Sequence, residues 1–295
     1  MAPSSLTLTF GVGPSLFDDR FALRPRRPAA LADLPAFPGD RLDPIRSGGD
    51  LCVQACADDS LVAFHAVRNL ARVGEDVVAL RNIQFAAGRA SSGSVASETP
   101  RNLLGFKDGT SNVRADSPGD MDEHVWVGSE SDQSWMVGGT YLVARRIRTH
   151  LEQWSSLSLE TQQDTIGRFR ESGAPLTGRR ERDAMDLSQL NSLGLPVIPS
   201  SAHVRVASAS ANNGAKILRR GFNFADGIDP RTGEIDAGLM FICFQKDPRR
   251  QFVTLQDNLS TNDALSRYVT HTASGLFACP PGVSKGEAIG AQLFD

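Results

Sequence analysis

The chain has 295 residues, with 31 Lys plus Arg against 34 Asp plus Glu, a formal net charge of −3. That balance gives no general electrostatic drive toward nucleic acid or an anionic membrane. Hydrophobic residues at 40% and charged residues at 22% describe a globular chain, long enough for one large domain or two of about 150 residues.

The longest apolar run, 239–244, falls far short of the roughly 20 residues a membrane span needs. Met1-Ala2-Pro3-Ser4 lacks the basic and apolar regions of a signal peptide, so none is expected, and Arg26-Arg27 reads as a surface pair. The four cysteines, Cys52, Cys56, Cys243 and Cys279, form no CxxC and no CxxCH. A disulfide framework, a thiolate metal cage and covalent haem attachment are therefore disfavoured. Cys52 and Cys56 on one strand would stand about 13 Å apart, too far to bridge. Buried free thiols are expected.

In chain order, Thr7-Leu8-Thr9-Phe10 alternates polar and apolar and predicts a strand, ended by Gly11-Val12-Gly13-Pro14. Residues 24–50, rich in Pro, Arg and Gly, read as an irregular excursion. A strand is expected over 51–57, then a helix entered through Asp58-Asp59-Ser60. That helix carries Leu61, Phe64, Val67, Leu70 and Val73 near one stripe, with Gly74 as its stop. Residues 77–85 predict another strand, and 86–100, rich in Ala, Ser and Gly, a linker or long loop. A strand over 137–146, a polar helix over 159–170, loop over 171–200 and a buried strand over 238–245 follow. Asp247-Pro248 then opens a helix carrying Phe252, Leu255 and Leu259.

The two halves echo each other at an offset of 188 residues. Leu51 to Asp59, then Phe64 and Val67, lines up with Leu239 to Asp247, then Phe252 and Leu255. Each copy reads as apolar strand, acidic turn, amphipathic helix. This favours two related α+β units over a doubly wound parallel fold.

Several chemistries are excluded by what is missing. There is no phosphate-binding G-x-x-x-x-G-K-[ST], no G-x-G-x-x-G, no G-x-S-x-G and no H-E-x-x-H. No two of the five histidines, His65, His124, His150, His203 and His271, lie within one helical turn, so a zinc-type cluster is not expected.

Three polar segments remain. Gly105-Phe106-Lys107-Asp108-Gly109-Thr110 brackets a carboxylate with two glycines, a tight geometry that an ordinary Asp-Gly turn would also explain. His203-Val204-Arg205 places a histidine among apolar residues, as a core histidine also would be. Leu218-Arg219-Arg220-Gly221-Phe222 sets arginines beside aromatics, suited to a surface or to anchoring a carboxylate. Together, in this order, they resemble the dye-decolourising peroxidase family, closest to its exported bacterial subgroup. The stretches Phe10 to Asp18 and Gly238 to Gln245 extend the resemblance over nearly the whole chain. One departure is Ser208-Ala209-Ser210, where that subgroup commonly has Asn-Pro-Arg.

The resemblance implies an α+β fold of two ferredoxin-like units, 1–115 and 116–295, with antiparallel sheets, packed helices and noncovalent haem b mainly in the second unit. It implies His203 as the proximal iron ligand, Asp263 as its hydrogen-bond partner, and Arg205 as the partner of a haem propionate. Asp108 would shuttle the peroxide proton and Arg219 would stabilise the departing oxygen. Gly109, Thr110 and Ser111 would approach the haem edge, with Asn112 a less certain neighbour. Met240, Phe241, Phe252, Leu255 and Phe277 are candidate pocket walls. Trp126, Trp135, Trp154, Tyr141 and Tyr268 are the inventory for electron relay, each better explained by packing.

The implied activity is haem-dependent oxidation of one-electron donors, such as dyes or phenolics, by hydrogen peroxide. The alternative is a haem-handling protein that releases iron from haem, as proposed for exported relatives; a non-catalytic α+β binding module is the third reading. Neither a nucleic-acid partner nor a membrane span is expected. The resemblance implies an exported protein and leaves room for a homo-oligomer.

Overall fold

The computed structural model describes residues 4–88 and 99–294. The expected linker at 86–100 falls largely on residues 89–98, outside the described ones. Strand β1 (Thr7–Val12) pairs antiparallel with β2 (Leu51–Cys56), with Thr7 opposite Cys56 and Val12 opposite Leu51. Gly11 lies inside β1 rather than ending it. A Cβ there would sit 2.7 Å from the Cβ of Phe277, so this glycine serves close approach of another strand and not a turn. The excursion at 24–50 is irregular as expected, yet it buries Leu31 and Phe37 against the main core.

Helix α1 (Ser60–Val73) begins where Asp59 Oδ1 accepts the Leu61 amide at 2.8 Å, and it stops at Gly74. None of its five stripe residues is fully buried: Leu61 is 58% and Val73 80% exposed, and the helix's one buried side chain is Val62, outside the stripe. The strand expected over 77–85 does not form; these residues are irregular, with Val77 86% and Leu80 63% exposed. A β-prone run becomes a strand only against a neighbour. Here the outer edge of β2 has no described partner, and Ala87 alone makes an isolated bridge, to Asn223.

The second half opens with α2 (Pro118–His124) and the long, nearly continuously buried β3 (Thr140–Thr149). Helices α3 (Leu151–Ser155) and α4 (Leu159–Ile166) follow. Helix α4 is shorter than expected because Gly167, at φ +89°, turns the chain left-handed. Its missing side chain also makes room for Val204, whose Cγ2 would be 2.5 Å from a Cβ there. One helical turn, α5 (His203–Val206), leads to β4 (Leu218–Arg219), β5 (Phe222–Ile228) and β6 (Ile235–Gln245). Helix α6 (Phe252–Asn262) and β7 (Val269–Cys279) complete the unit. Asp247-Pro248 forms a turn ahead of α6 rather than its first residues.

All strands among the described residues join one antiparallel sheet of seven, ordered β2-β1-β7-β3-β6-β4, with β5 also on β6. The second unit therefore runs strand, helices, hairpin, helix, strand, with β3 held between β6 and β7, as in a ferredoxin-like unit. The echo recurs as β2 followed by α1 and β6 followed by α6. Two hydrophobic clusters cover the sheet. Val143, Cys243, Phe252 and Leu276 belong to one, and Leu142, Ile242, Phe244 and Phe277 to the other.

Candidate active site

The proximal side is built on one short helical turn. His203 stands at its start, and its ring Nδ1–H donates to Asp263 Oδ2 at 2.6 Å. Asp263 ends α6 and opens the turn at Ala264–Arg267, where its other oxygen accepts the Leu265 amide at 2.9 Å. Held at both oxygens, the carboxylate fixes the ring orientation and assigns the proton to Nδ1, leaving the Nε2 lone pair free. Burial alone would push the imidazole's pKa down; the charge and hydrogen bond of Asp263 hold it above the ordinary histidine value. The ring lies deep in the fold, yet 35% of the side chain is accessible, so it borders open space.

A second pair is built on β4 and on the loop 105–112. Gly105 (φ +87°) and Gly109 (φ +130°) give it turns that a side chain would strain. Asn102 closes the first turn, its Oδ1 accepting the amides of Leu104 and Phe106 at 3.1 and 3.3 Å. Asp108 Oδ1 accepts from Arg219 Nη1 at 2.6 Å. Arg219 on β4 is opposite Cys243 of β6, and on its other side Asn112 imitates a strand neighbour. The Asn112 amide accepts from the Arg219 N–H at 2.8 Å and donates to its carbonyl at 2.9 Å. Arg219 and Asp108 are both close enough to His203 to move its proton affinity, in opposite directions. A surface cleft reaches the pair past Pro100, Asn102, Gly221 and Asn223.

The structure redistributes several expected site residues. The Thr110 hydroxyl donates to Glu181 at 3.0 Å, and the Ser111 hydroxyl accepts from Arg168 at 3.1 Å. The Arg205 guanidinium donates to the carbonyls of Ile198 and Leu187 at 2.7–3.0 Å. It ties down the 187–198 loop, and the expected propionate contact has no geometric support from it. Arg219 points to the same face as Cys243, Phe241 and the buried side of α6. Met240 and Phe277 pack on the opposite face with Leu142, so they cannot line the same pocket as Phe252. Trp135, Trp154 and Tyr141 are buried, whereas Trp126 is 41% exposed.

The donor set fits a haem held by one imidazole with its other face open. No group of three or more His, Cys, Asp or Glu able to hold a bare metal ion occurs among the described residues. Burial pushes the thiols of Cys52, Cys56, Cys243 and Cys279 above their ordinary pKa, Cys52 to about 11, so none is a ready thiolate ligand.

A carboxylate-backed imidazole and an Asp–Arg pair on one antiparallel α+β scaffold are the groups a haem enzyme of the peroxidase class would use. Family models described as the N-terminal and C-terminal parts of Dyp-type peroxidase match residues 1–84 and 99–284. The chain belongs to the Dyp-type peroxidase family and is a haem-dependent peroxidase of duplicated ferredoxin-like fold. A dye-decolorizing peroxidase of Thermobifida fusca (strain YX) is 39% identical over 300 residues, covering 100% of this chain and 69% of the relative. A deferrochelatase of Escherichia coli (strain K12) is 36% identical over 288 residues, 96% of this chain and 67% of the relative. Ferric DtpA from Streptomyces lividans superposes with a TM-score of 0.92 at 44% identity, over 98% of this chain and 78% of that one.

Sequence reasoning did not single out Glu181 or Arg168, and it left Asn112 uncertain. Glu181 stands in the charge run Arg179-Arg180-Glu181-Arg182-Asp183, which reads as a solvated loop. No local signal marks it, because its partners Thr99, Lys107 and Thr110 are more than 70 residues away.

Proposed function

We propose that Asp108 and Arg219 handle hydrogen peroxide on the open face of the haem, with His203 as the iron's protein ligand. One observation carries this: the Asp263–His203 and Asp108–Arg219 pairs, each joined by a 2.6 Å contact, lie close enough that Arg219 and Asp108 both act on the His203 charge. Bound haem supplies an iron centre that passes oxidising equivalents from hydrogen peroxide to an electron donor. Arg219 occupies Asp108 Oδ1 and leaves Oδ2 to meet the substrate. That oxygen takes the proton from one peroxide oxygen and returns it to the other, which leaves as water. The guanidinium offsets negative charge growing on the departing oxygen, and its fixed charge and planar fork suit a partly buried site better than an ammonium would. Asp263 keeps the His203 proton on Nδ1, so that Nε2 would be free to bind the iron. The cleft is small, with Asp108 and Arg219 among its lining residues, which suits peroxide, while bulky donors of the dye or phenolic kind react from outside it.

Stopped-flow mixing of the haem-loaded protein with hydrogen peroxide tests the assignment. Arg219→Leu and Asp108→Asn are each expected to slow the Soret change by about 100-fold or more while the resting spectrum persists. A wild-type rate in either variant removes that residue from the reaction. The likeness to deferrochelatases supports a second reading for the same pocket, iron release from haem. Anaerobic incubation with haem, read for free protoporphyrin, decides it: porphyrin without peroxide favours release, and its absence leaves peroxidation.

A further inference from the structure

Asp108 sits on a loop, and loops position catalytic groups well only when something outside them holds them. Here the holding segment is 168–183. The Glu181 carboxylate accepts from Lys107 Nζ at 2.6 Å, from the Thr110 hydroxyl at 3.0 Å, and from the Thr99 hydroxyl. It thus grips the residue before Asp108 and the residue two after it. The Glu181–Lys107 pair is largely withdrawn from solvent, with side-chain exposures of 17% and 15%. Burial alone would raise the Glu181 pKa; the three donors hold it below the ordinary value, so the carboxylate stays charged.

Arg168, 6% exposed, completes the grip. Its Nη2 donates to the Ser111 hydroxyl at 3.1 Å, while Nη1 donates to the carbonyls of Gly173 and Glu181 at 2.7 and 3.0 Å. The packing is close. Gly173 is at φ +74°, and a Cβ there would lie 2.8 Å from Lys107 Cδ, so only a glycine lets the lysine stem pass. Asp183 steadies the approach to Glu181 by accepting the amides of Arg179 and Arg180 at 2.8 and 2.9 Å.

We infer that Glu181 is a positioning residue for peroxide cleavage, clamping Lys107 and Thr110 so that the Asp108 carboxylate is presented to Arg219 and to peroxide. This rests on the assignment of Asp108 above. Glu181 touches neither peroxide nor haem and acts through the loop. A displaced reacting group can lose one to two orders of magnitude in rate. A loop that has lost its buried ionic tether should also open more often.

The test uses the haem-loaded protein for kinetics and both haem-loaded and haem-free protein for amide exchange. Glu181→Gln removes the charge and keeps the shape; Glu181→Ala removes the clamp. In Glu181→Ala, exchange over 105–112 should quicken about tenfold, and kcat/KM for peroxide should fall about tenfold with the donor KM unchanged. Glu181→Gln should fall between Glu181→Ala and wild type in both readouts. Glu234→Gln, at a carboxylate paired with Arg148 outside the clamp, should leave both unchanged. Wild-type exchange over 105–112, or equal losses toward peroxide and donor, overturns the clamp. Asp108→Asn separates the two ideas. If it is slow while Glu181→Ala is fast, the clamp is wrong; if Asp108→Asn is fast, the underlying assignment is wrong.

Discussion

β2 with α1 and β6 with α6 share one sequence pattern and one element order, yet they end in different surroundings. β6 is flanked by β3 on one side and by β4 and β5 on the other, whereas β2 touches β1 alone among the described strands. α6 buries Phe252 and Leu255; at the echo positions of α1, Phe64 and Val67 remain half exposed. The segments that follow diverge most. Val269–Cys279 becomes β7 between two neighbours, while 77–85 stays irregular and exposed. Local pattern decides whether a segment can be a helix or a strand, and neighbours decide whether its apolar face is covered. His203, its partner Asp263 and Arg219 all sit on the well-covered unit, as a site needing fixed geometry requires.

Paired truncations at echo positions put that contrast to its strongest test. Phe252 is 2% exposed and packs edge-on against Phe37 with ring centroids 6.0 Å apart. Phe252→Ala should cost about 3–5 kcal/mol. Phe64, partly exposed and tilted against Phe85 at 5.8 Å, should cost about 1 kcal/mol when cut to alanine, since little cavity is left behind. Urea unfolding of the haem-free variants measures both. Equal losses would break the comparison and show that α1 is as fully packed in solution as α6.

How much was legible follows the same line. β1, β2, α1, β6 and α6 announce themselves through local periodicity and caps, and His203, Asp108 and Arg219 through the order of three short segments, whereas Asp263 follows only from the family resemblance. β7 did not, because His271, Ser274 and Gly275 interrupt its apolar pattern. Gly275 belongs there because the Phe277 ring lies across it, 2.7 Å from where a Cβ would stand. Arg145 is another residue that sequence hides. It is 1% exposed in the middle of β3 and is tolerated because Asp40 lies 2.5 Å away, 105 residues earlier in the chain. Residues whose partners are remote, Glu181, Arg168 and Arg145 among them, become readable only when the fold brings those partners in.

His271 yields the next effect, and it too belongs to the covered unit; its echo position is Ile83, 39% exposed. Burial first, and the nearby Arg145 second, push the His271 pKa down to about 3. The ring therefore stays neutral although Asp40 is 3.6 Å away. The folded state resists a proton that the unfolded chain accepts at about 6.5. The resulting stability is complete above about 6.5 and declines as pH falls toward about 3. Between pH 7 and pH 5 the wild type should lose about 2 kcal/mol more than His271→Gln. Chemical denaturation at the two pH values checks this, and identical losses would place a titrating histidine on β7.

The smallest effect is expected where the two units differ most visibly. Val77 and Leu80 echo Leu265 and Tyr268. The latter two pack around Trp154, with the Tyr268 ring 5.3 Å from the indole centroid. Val77 and Leu80 meet solvent instead, at 86% and 63% exposure. Leu80→Gln should shift stability by no more than about 0.5 kcal/mol, because little buried area is lost. Tyr268→Ala should cost several times that, through lost aromatic contact and a new cavity. Urea midpoints at equal m-values supply the measurement. A loss above about 1.5 kcal/mol for Leu80→Gln would mean that 77–85 is packed in solution. The contrast between the halves would then be one of which surface covers the run, and no longer of whether it is covered.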